Sequence, residues 1–208
     1  TGRELFNLTG RPGSHFTGCD VFPDGSSIIS TSSDGLLNIW EVPTGRELKS
    51  LVAHRIEGEK CVVSPDGTWA VSAGYHELRV WNVGTGRQLS GMNGHRQKVF
   101  DCSVSPDGTW VVSASDDHTL IIWEVETGKE LRALTGHTSG VLGCAVSPDG
   151  QWVVSTSRDS TLRVWEVARG RGVLLKYYQK AKRMCFPLTG GVMCVALHPW
   201  KPLAVCGS

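Results

Sequence analysis

The residues of this sequence that could do chemistry are histidine, serine and aspartate at a recurring spacing. His95, Ser113 and Asp117 are the three types that a hydrolase uses as base, nucleophile and orienting acid. The same types return 42 residues later as His137, Ser155 and Asp159. A nucleophilic serine needs an exposed Oγ and an oxyanion site, and the sequence has no G-x-S-x-G elbow. Because the trio recurs at a fixed period, together with a tryptophan, we predict a structural role and no catalytic residue.

A tandem repeat accounts for this spacing. Successive tryptophans are 41, 42 and 42 residues apart along the series Trp40, Trp81, Trp123 and Trp165. The tripeptide Pro-Asp-Gly recurs with separations of 42, 41 and 42 residues, starting at Pro23, Pro65, Pro106 and Pro148. Two independent markers that share one period predict four structural units of the same kind.

Each unit is predicted to contain four short β-strands, which we label a to d in chain order. In the third copy we expect them over 99–104, 110–113, 120–125 and 130–134, which are rich in Val, Ile and Trp. Turn residues separate them, and no stretch shows convincing helical periodicity. A period of about 40–45 residues with four strands per unit is typical of an all-β fold, the β-propeller, with one blade per repeat.

The copies resemble WD repeats. Gly-His pairs end at His95 and His137, and Trp-Glu pairs begin at Trp123 and Trp165, where the family has Gly-His and Trp-Asp. The resemblance implies a buried hydrogen-bond network in each blade. Its members would be His95, Ser113, Asp117 and Trp123 in blade three, and His137, Ser155, Asp159 and Trp165 in blade four. A buried indole N–H needs an acceptor and a buried carboxylate needs donors, so such a network would fix the strand order.

The first two blades depart from this pattern. Blade one keeps Ser30, Asp34 and Trp40. Arg11-Pro12 stands at its Gly-His position, and the nearby His15 is a candidate substitute. Blade two keeps His54, Ser72 and Trp81. Its b–c turn is one residue shorter, so that Tyr75 falls where Asp is expected, and we expect packing rather than the network to stabilise this blade.

The chain is predicted to be one propeller domain with four full blades and partial blades at both ends. The predicted boundaries are 1–9 (partial), 10–52, 53–93, 94–135, 136–180 and 181–208 (partial). Residues 2–8 should form a strand d because their first four residues match those at 45–48, and 192–197 and 203–206 should form strands a and b. We therefore expect a fragment of a larger ring of seven or more blades, seven being the commonest count in the family.

Composition indicates a globular protein, and the motifs predict neither a cofactor nor a metal. The chain is 40% hydrophobic and 20% charged, with a formal net charge of +1, no apolar run of about 18 residues and no visible secretory signal.

The first four of its seven cysteines recur once per blade, which predicts inert core thiols, and no C-x-x-C pair is present. The aspartates of Pro-Asp-Gly are predicted turn residues rather than calcium ligands. The odd cysteine count favours a cytoplasmic location.

The charge is unevenly distributed. Residues 1–166 hold 14 Lys and Arg against 20 Asp and Glu, whereas residues 167–208 hold seven Lys and Arg and no acid. The basic run 169–183 fits strand d of blade four with a solvated connection. An alternative is an anion or nucleic-acid contact, and a third is a docking segment for a neighbouring domain. The candidate anion-binding residues are Arg169, Arg171, Lys176, Lys180, Lys182 and Arg183.

The function that this pattern favours is a non-catalytic scaffold that binds a protein or peptide. A propeller holds many loops rigidly around one axis, so residues that differ between blades at equivalent loop positions are candidate contacts. They are Ser33, Tyr75, Asp116, Arg158, Arg55, Arg96 and Thr138. No membrane partner is expected, and nucleic acid is the less favoured partner.

The last residues, CVALHPWKPLAVCGS, resemble the final blades of WD-repeat regions in bacterial apoptosome-like signalling ATPases of the NACHT or NB-ARC type. This resemblance implies a ligand-sensing or autoinhibitory role in signal transduction, with an ATPase domain of the same chain as a partner.

Overall fold

The structure is a computed structural model of the chain. It describes residues 2, 4–55 and 57–167 in full, and the backbone of two further strands at 194–197 and 204–207. All regular elements in this part are β-strands. None of these residues forms a helix that could cross a membrane.

The strands form successive antiparallel sheets, each a meander in chain order. Blade one contains β1 (Phe16–Val21), β2 (Ser27–Ser32), β3 (Leu36–Glu41) and β4 (Glu47–Val52). Blade two contains β5 (Lys60–Val63), β6 (Trp69–Ala73), β7 (Glu77–Asn82) and β8 (Gln88–Asn93). Blade three contains β9 (Val99–Val104), β10 (Trp110–Ser115), β11 (Leu120–Glu124) and β12 (Glu130–Leu134). The fold is therefore the repeated four-stranded unit that the sequence predicted.

Two further sheets continue the series. Blade four has β13 (Val141–Val146), β14 (Trp152–Ser157) and β15 (Leu162–Glu166) in its described part. A two-stranded sheet follows, in which β16 (Cys194–Leu197) pairs with β17 (Ala204–Gly207). The expected strand d of blade four lies outside the described residues.

The blades stand side by side around a common axis, as in a propeller. Each strand a lies next to the strand a of the following blade, along the series β1, β5, β9, β13 and β16. The core lies between the blades: Val71 and Leu78 of blade two pack in one cluster with Val99, Val111 and Trp123 of blade three. Burial of these apolar side chains is the main force that holds neighbouring blades together.

Polar contacts join the inner strands as well. Asp20 of β1 accepts a hydrogen bond from the Val63 backbone N–H in the next blade at 2.8 Å. Asp101 of β9 accepts one from the Cys144 N–H at 2.9 Å, and its other oxygen lies 3.7 Å from Lys60 Nζ. Asp101 thereby connects blades two, three and four.

The Pro-Asp-Gly turns follow from local chemistry. In blade two, the Asp66 carboxylate accepts hydrogen bonds from the Ser64 hydroxyl at 2.6 Å and the Thr68 N–H at 3.0 Å. Gly67 has φ +72°, a conformation that glycine adopts without strain. As predicted, the aspartate is a turn residue. Separately, the described residues contain no group of three or more side chains arranged to hold a metal ion.

The prediction of a strand over residues 2–8 is wrong, because the described residues of this segment form no strand. Phe6 and Leu8 nevertheless lie against the turn at Gly45, with side-chain atoms 3.2 and 3.3 Å from where a Cβ would stand. Strand β4 approaches the equivalent turn of blade two in the same way, since Leu51 contacts Gly86. The segment thus occupies the position of an outer strand, but no described strand c lies beside it to accept its hydrogen bonds.

Other boundaries differ by one or two residues. Strand β10 continues to Ser115 rather than ending at Ser113, and β11 ends at Glu124. The strand predicted at 192–197 is β16, which begins two residues later at Cys194. The strand predicted at 203–206 is β17, which lies one residue further along at 204–207. Hydrogen bonding to the neighbouring strand decides these ends, and composition alone does not report it.

The cysteines of the described blades are free thiols, but they are not alike. Cys61, Cys102 and Cys144 are buried, and burial raises the pKa of the Cys61 thiol to about 12. Burial also raises the pKa values of Cys102 and Cys144 well above the ordinary range, so all three are inert. Cys19 is exposed, which corrects the prediction of a core thiol in blade one.

Candidate functional site

Blades three and four each contain one continuous chain of hydrogen bonds. Trp123 Nε1 donates to Ser113 Oγ at 2.7 Å, and His95 Nε2 lies 2.7 Å from the same oxygen. His95 Nδ1 lies 2.8 Å from Asp117 Oδ2. Because the carboxylate can only accept, Nδ1 carries the proton and Nε2 accepts from the serine hydroxyl. Every polar group of this chain has a partner.

Blade four repeats this geometry. Trp165 Nε1 donates to Ser155 Oγ at 2.8 Å, and His137 Nε2 lies 2.8 Å from that oxygen. His137 Nδ1 lies 2.7 Å from Asp159 Oδ2. The structure therefore brings together the four side-chain types that the resemblance implied, in two successive blades.

The electrostatics of the network fix its charge state. Burial disfavours the Asp117 carboxylate, but hydrogen bonds from His95, Thr119 and the Arg96 N–H outweigh it and hold its pKa far below the ordinary value. The pKa of Asp159 is lowered in the same way. Burial lowers the pKa of His137, because the imidazolium would lose its hydration. In blade four, a neutral His137 beside the Asp159 carboxylate is therefore the stable pair at neutral pH.

Blade two contains a network member that the sequence analysis missed. His54 Nε2 lies 2.8 Å from Ser72 Oγ, to which Trp81 Nε1 donates at 2.9 Å. His54 Nδ1 lies 3.4 Å from a Glu77 carboxylate oxygen, so that Glu77 takes the place of the missing Asp. The network of blade two therefore includes an acid, which the shortened turn had not led us to expect. The clue was in the sequence, since Glu77 is the first acid after the shortened turn and a longer side chain can bridge the gap.

Blade one has only half of the network. Trp40 Nε1 donates to Ser30 Oγ at 2.8 Å. The proposed substitute His15 is exposed, and its side chain makes no hydrogen bond to Ser30 within the described part of the chain. Asp34 accepts hydrogen bonds from the Ser32 hydroxyl at 2.5 Å and from the Leu36 N–H at 3.4 Å, within its own turn. Without a histidine, this aspartate stabilises the turn alone.

The geometry of the trio does not suit nucleophilic catalysis. Ser113 and Ser155 are 0% exposed, and each hydroxyl oxygen already accepts from a tryptophan N–H. A substrate carbonyl cannot reach either oxygen without displacing the indole ring. The arrangement supplies a scaffold for the turns above it.

These turns form one side of the molecule, which we call the loop face. It comprises the b–c turns and the d–a connections, because strands a and c begin there and strands b and d end there. Of the candidate contacts on it, Arg96 and Thr138 directly follow the network histidines. Their backbone N–H groups donate to Asp117 and Asp159 at 3.0 and 3.1 Å, while both side chains are exposed.

The remaining candidates divide into free and engaged residues. Arg55 and Tyr75 are exposed, Tyr75 at 47%, and its ring contacts His76 edge-on at 4.4 Å. Ser33 is half-buried and pairs with His15 through its own N–H and its hydroxyl. Asp116 and Arg158 bind each other, which is a contact between blades rather than a free surface.

A half-buried aromatic residue was not predicted where the Asp116–Arg158 pair joins blades three and four. Phe100 of β9 lies under two cations, with Arg158 Cζ 5.0 Å and Lys98 Nζ 5.9 Å from its ring centroid. Lys98 also binds Glu57 at 3.0 Å and Glu59 at 2.6 Å. Phe100 differs from Thr17 and Leu142 at the equivalent positions of β1 and β13, and this difference was the signal available in the sequence.

Tandem antiparallel blades around one axis, each with a tryptophan that donates a hydrogen bond to a buried serine, define a β-propeller of repeats. The family model of the WD domain, G-beta repeat, matches residues 2–41, 45–82, 86–124 and 128–166, and the chain belongs to this family. The last three matches each begin in a c–d turn, just before an outer strand, and end with strand c of the next blade. A comparison with curated proteins gives no match for this chain. WD repeats generally mediate protein–protein interaction, and WD domains are typically non-catalytic scaffolds.

Proposed function

We propose that this chain is a non-catalytic recognition module that binds a protein or peptide on its loop face. The observation that carries the proposal is that two kinds of residue occur on that face, one structural and one exposed. The polar groups that blades two to four share bind one another, whereas Arg55, Tyr75, Arg96 and Thr138 differ between blades and are exposed.

Rigidity supports recognition by these residues. The backbone at Arg96 and Thr138 is fixed by hydrogen bonds to the network aspartates, so their side chains leave from an ordered frame. A partner that binds such a frame loses less free energy to loop ordering than one that binds a mobile loop. Variation at these positions can then change specificity without changing the fold.

The test compares protein capture from the source organism by three immobilised forms of the chain. They are the wild type, the loop-face triple variant Arg55→Glu/Tyr75→Ala/Arg96→Glu, and the control Arg87→Glu on the opposite side. We expect a defined partner with the wild type and the control, and at least a tenfold loss with the triple variant. Equal capture by all three folded proteins would overturn the loop-face assignment.

We also propose that the module is a ligand-sensing or autoinhibitory part of a larger cytoplasmic signalling protein. The resemblance of the C-terminal residues to propellers of NACHT or NB-ARC ATPases supports this role, and the free thiols of the described blades suit a reducing compartment. The flanking sequence should then encode G-x-x-x-x-G-K-[ST], and deletion of the repeats should change ATP hydrolysis. A flanking sequence without a nucleotide-binding domain would exclude this role.

Anion or nucleic-acid binding is a second candidate function. The observation that favours it is the charge of residues 167–208, which carry seven Lys and Arg and no acid. Residues 169–183 lie outside the described residues, so the proposal rests on sequence alone. It predicts retention on heparin and RNA binding that falls steeply with added salt. Elution in low salt would remove this function and leave the loop-face proposal untouched.

A further inference from the structure

The side of the molecule opposite the loop face carries a groove with both apolar and acidic walls. We call this side the turn face; it comprises the a–b and c–d turns with the strand residues that flank them. The groove lies between the a–b turns of blades two and three and has a volume of about 350 Å³. Its lining residues are Pro65, Asp66, Trp69, Pro106, Asp107 and Gly108.

The residue at the start of strand b differs between the blades in type or in exposure. Trp69 begins β6 and is half-buried, whereas Trp110 at the same position of blade three is only 6% exposed. Blade one has Ser27 there. Gly108 brings the next turn close without filling the space: a Cβ there would lie 3.7 Å from both Pro65 Cδ and Trp69 Cζ2. An accessible indole edge therefore coincides with an unfilled space at this junction.

The carboxylates of the groove are held in place by their own turns. Asp66 accepts hydrogen bonds from Ser64 and from the Thr68 hydroxyl at 2.8 Å, and these bonds lower its pKa, so it is ionised at neutral pH. Asp107 accepts the equivalent bonds from Ser105 at 2.7 Å and from the Thr109 hydroxyl at 2.9 Å. Both acids therefore stand on ordered turns.

The surroundings select a cation. Among the described residues of the turn face there are four turn aspartates and six glutamates, against the four cations Arg46, Lys49, Arg87 and Lys129. On the loop face, by contrast, Lys98, Arg79 and Arg158 pair with four of the acids, which are Glu57, Glu59, Glu77 and Asp116. The described acids of the turn face therefore favour a basic segment over an anion.

We propose that the groove binds an arginine side chain from a basic segment of a partner protein. A guanidinium is planar, so it can stack on the indole of Trp69 while its N–H groups bond to the carboxylates of Asp66 and Asp107. The proline rings can contact the aliphatic stem of the same side chain. Lysine offers a compact charge without the planar fork and fits these walls less well. This second surface is independent of the loop face.

The test is a titration of the 15N-labelled chain with the peptide acetyl-Gly-Gly-Arg-Gly-Gly-amide, followed by NMR. The Trp69 indole N–H signal is assigned by its loss in Trp69→Phe. We expect this signal to shift and saturate with the arginine peptide. The lysine analogue should bind at least severalfold more weakly than the arginine peptide. The glutamate analogue should not bind.

The matched variants separate the groove from general charge. Asp66→Asn/Asp107→Asn keeps the Oδ1 acceptor of each turn and removes both charges. It should weaken arginine binding roughly tenfold, since charge-assisted hydrogen bonds are about twice as strong as neutral ones. Asp24→Asn changes the same turn of blade one, which has no tryptophan wall, and should leave binding unchanged. A Trp69 signal that does not move, or equal affinities for the double variant and Asp24→Asn, would overturn the proposal.

Discussion

Arg158 Nη1 lies 2.5 Å from Asp116 Oδ1, although 42 residues separate them in the chain. The separation is one repeat, so the pair joins the same turn position of two adjacent blades. Asp116 leaves no room for a side chain at Gly140, and Arg158 also covers the ring of Phe100. Two positions that vary between blades thus form a contact between blades, which variation alone does not distinguish from a binding site.

This ion pair should contribute little to stability. Its side chains are 49% and 32% exposed, and pairs at such exposure are worth about 0.2–1 kcal/mol because water screens them. Asp116→Ala, Arg158→Ala and the double variant should therefore give a coupling within that range in urea unfolding. Added salt should reduce it. A coupling above about 2 kcal/mol would show that the pair behaves as a buried one.

The network serine should contribute more to the free energy of unfolding in blade three than in blade one. Ser113→Ala leaves both the Trp123 N–H and His95 Nε2 without a partner, whereas Ser30→Ala leaves only the Trp40 N–H. A buried polar group without a partner costs about 1–3 kcal/mol. We expect Ser113→Ala to reduce the free energy of unfolding by at least about 1 kcal/mol more than Ser30→Ala, measured by urea denaturation. Equal losses would mean that the histidine adds nothing.

The protein should lose stability in acid in two stages. Burial lowers the pKa values of His54 and His137, so the unfolded chain takes up protons first as pH falls below about 6.5, and the folded state is disfavoured. The pKa values of Asp117 and Asp159 are depressed, so their contribution is present above about 4 and is lost as pH falls further. Melting temperatures between pH 7.5 and 3 measure both stages.

A histidine variant identifies the first stage. His137→Gln removes the titrating group, so its melting temperature should change less between pH 7.5 and 5 than that of the wild type. The exposed His76→Gln is the matched control and should retain the wild-type slope. If both variants follow the wild type, the buried histidines do not cause the acid sensitivity.

One turn position should tolerate glycine better than its present residue. Ser160 has φ +63°, and the equivalent residues are His118 at +71° and Gly35 at +80°. Side chains are strained in this conformation by about 1–2 kcal/mol, part of which glycine loses again to its greater freedom in the unfolded chain. Ser160→Gly should therefore raise the free energy of unfolding by about 0.5–1 kcal/mol in urea denaturation.

The control for this change is Ser139→Gly, at a position without positive φ. It should lower stability, because glycine there adds only freedom to the unfolded chain. A loss of stability in both variants would contradict the strain at Ser160.

Much of the fold could be predicted because its markers are local and repeated. Pro-Asp-Gly specifies a turn wherever it occurs, and the strands on either side follow from their composition, as at β9 and β12, where the predicted bounds are those observed. The strand predicted at residues 2–8 failed for the opposite reason. A strand depends on a neighbour to bond with, and resemblance to 45–48 did not supply one.

The candidate site was less predictable, because it depends on distance rather than residue type. Tyr75 occupies the position of an aspartate in the alignment of the repeats, yet Glu77 reaches His54. His15 lies close in sequence to the position of the missing network histidine of blade one, but its side chain is exposed and makes no hydrogen bond to Ser30. Side-chain length and direction decide such contacts, and neither can be inferred from spacing along the chain.

The sequence by itself determined the repeat, the strand order within each blade and the residues of the two complete networks, because these depend on contacts that recur within one period. The tertiary structure alone decided which variable residues are free. Arg158 is paired because neighbouring blades meet at its position. They do not meet at the position of Arg96, which is exposed. Contacts between blades depend on how rigid units pack around an axis, and a linear pattern carries no record of that packing.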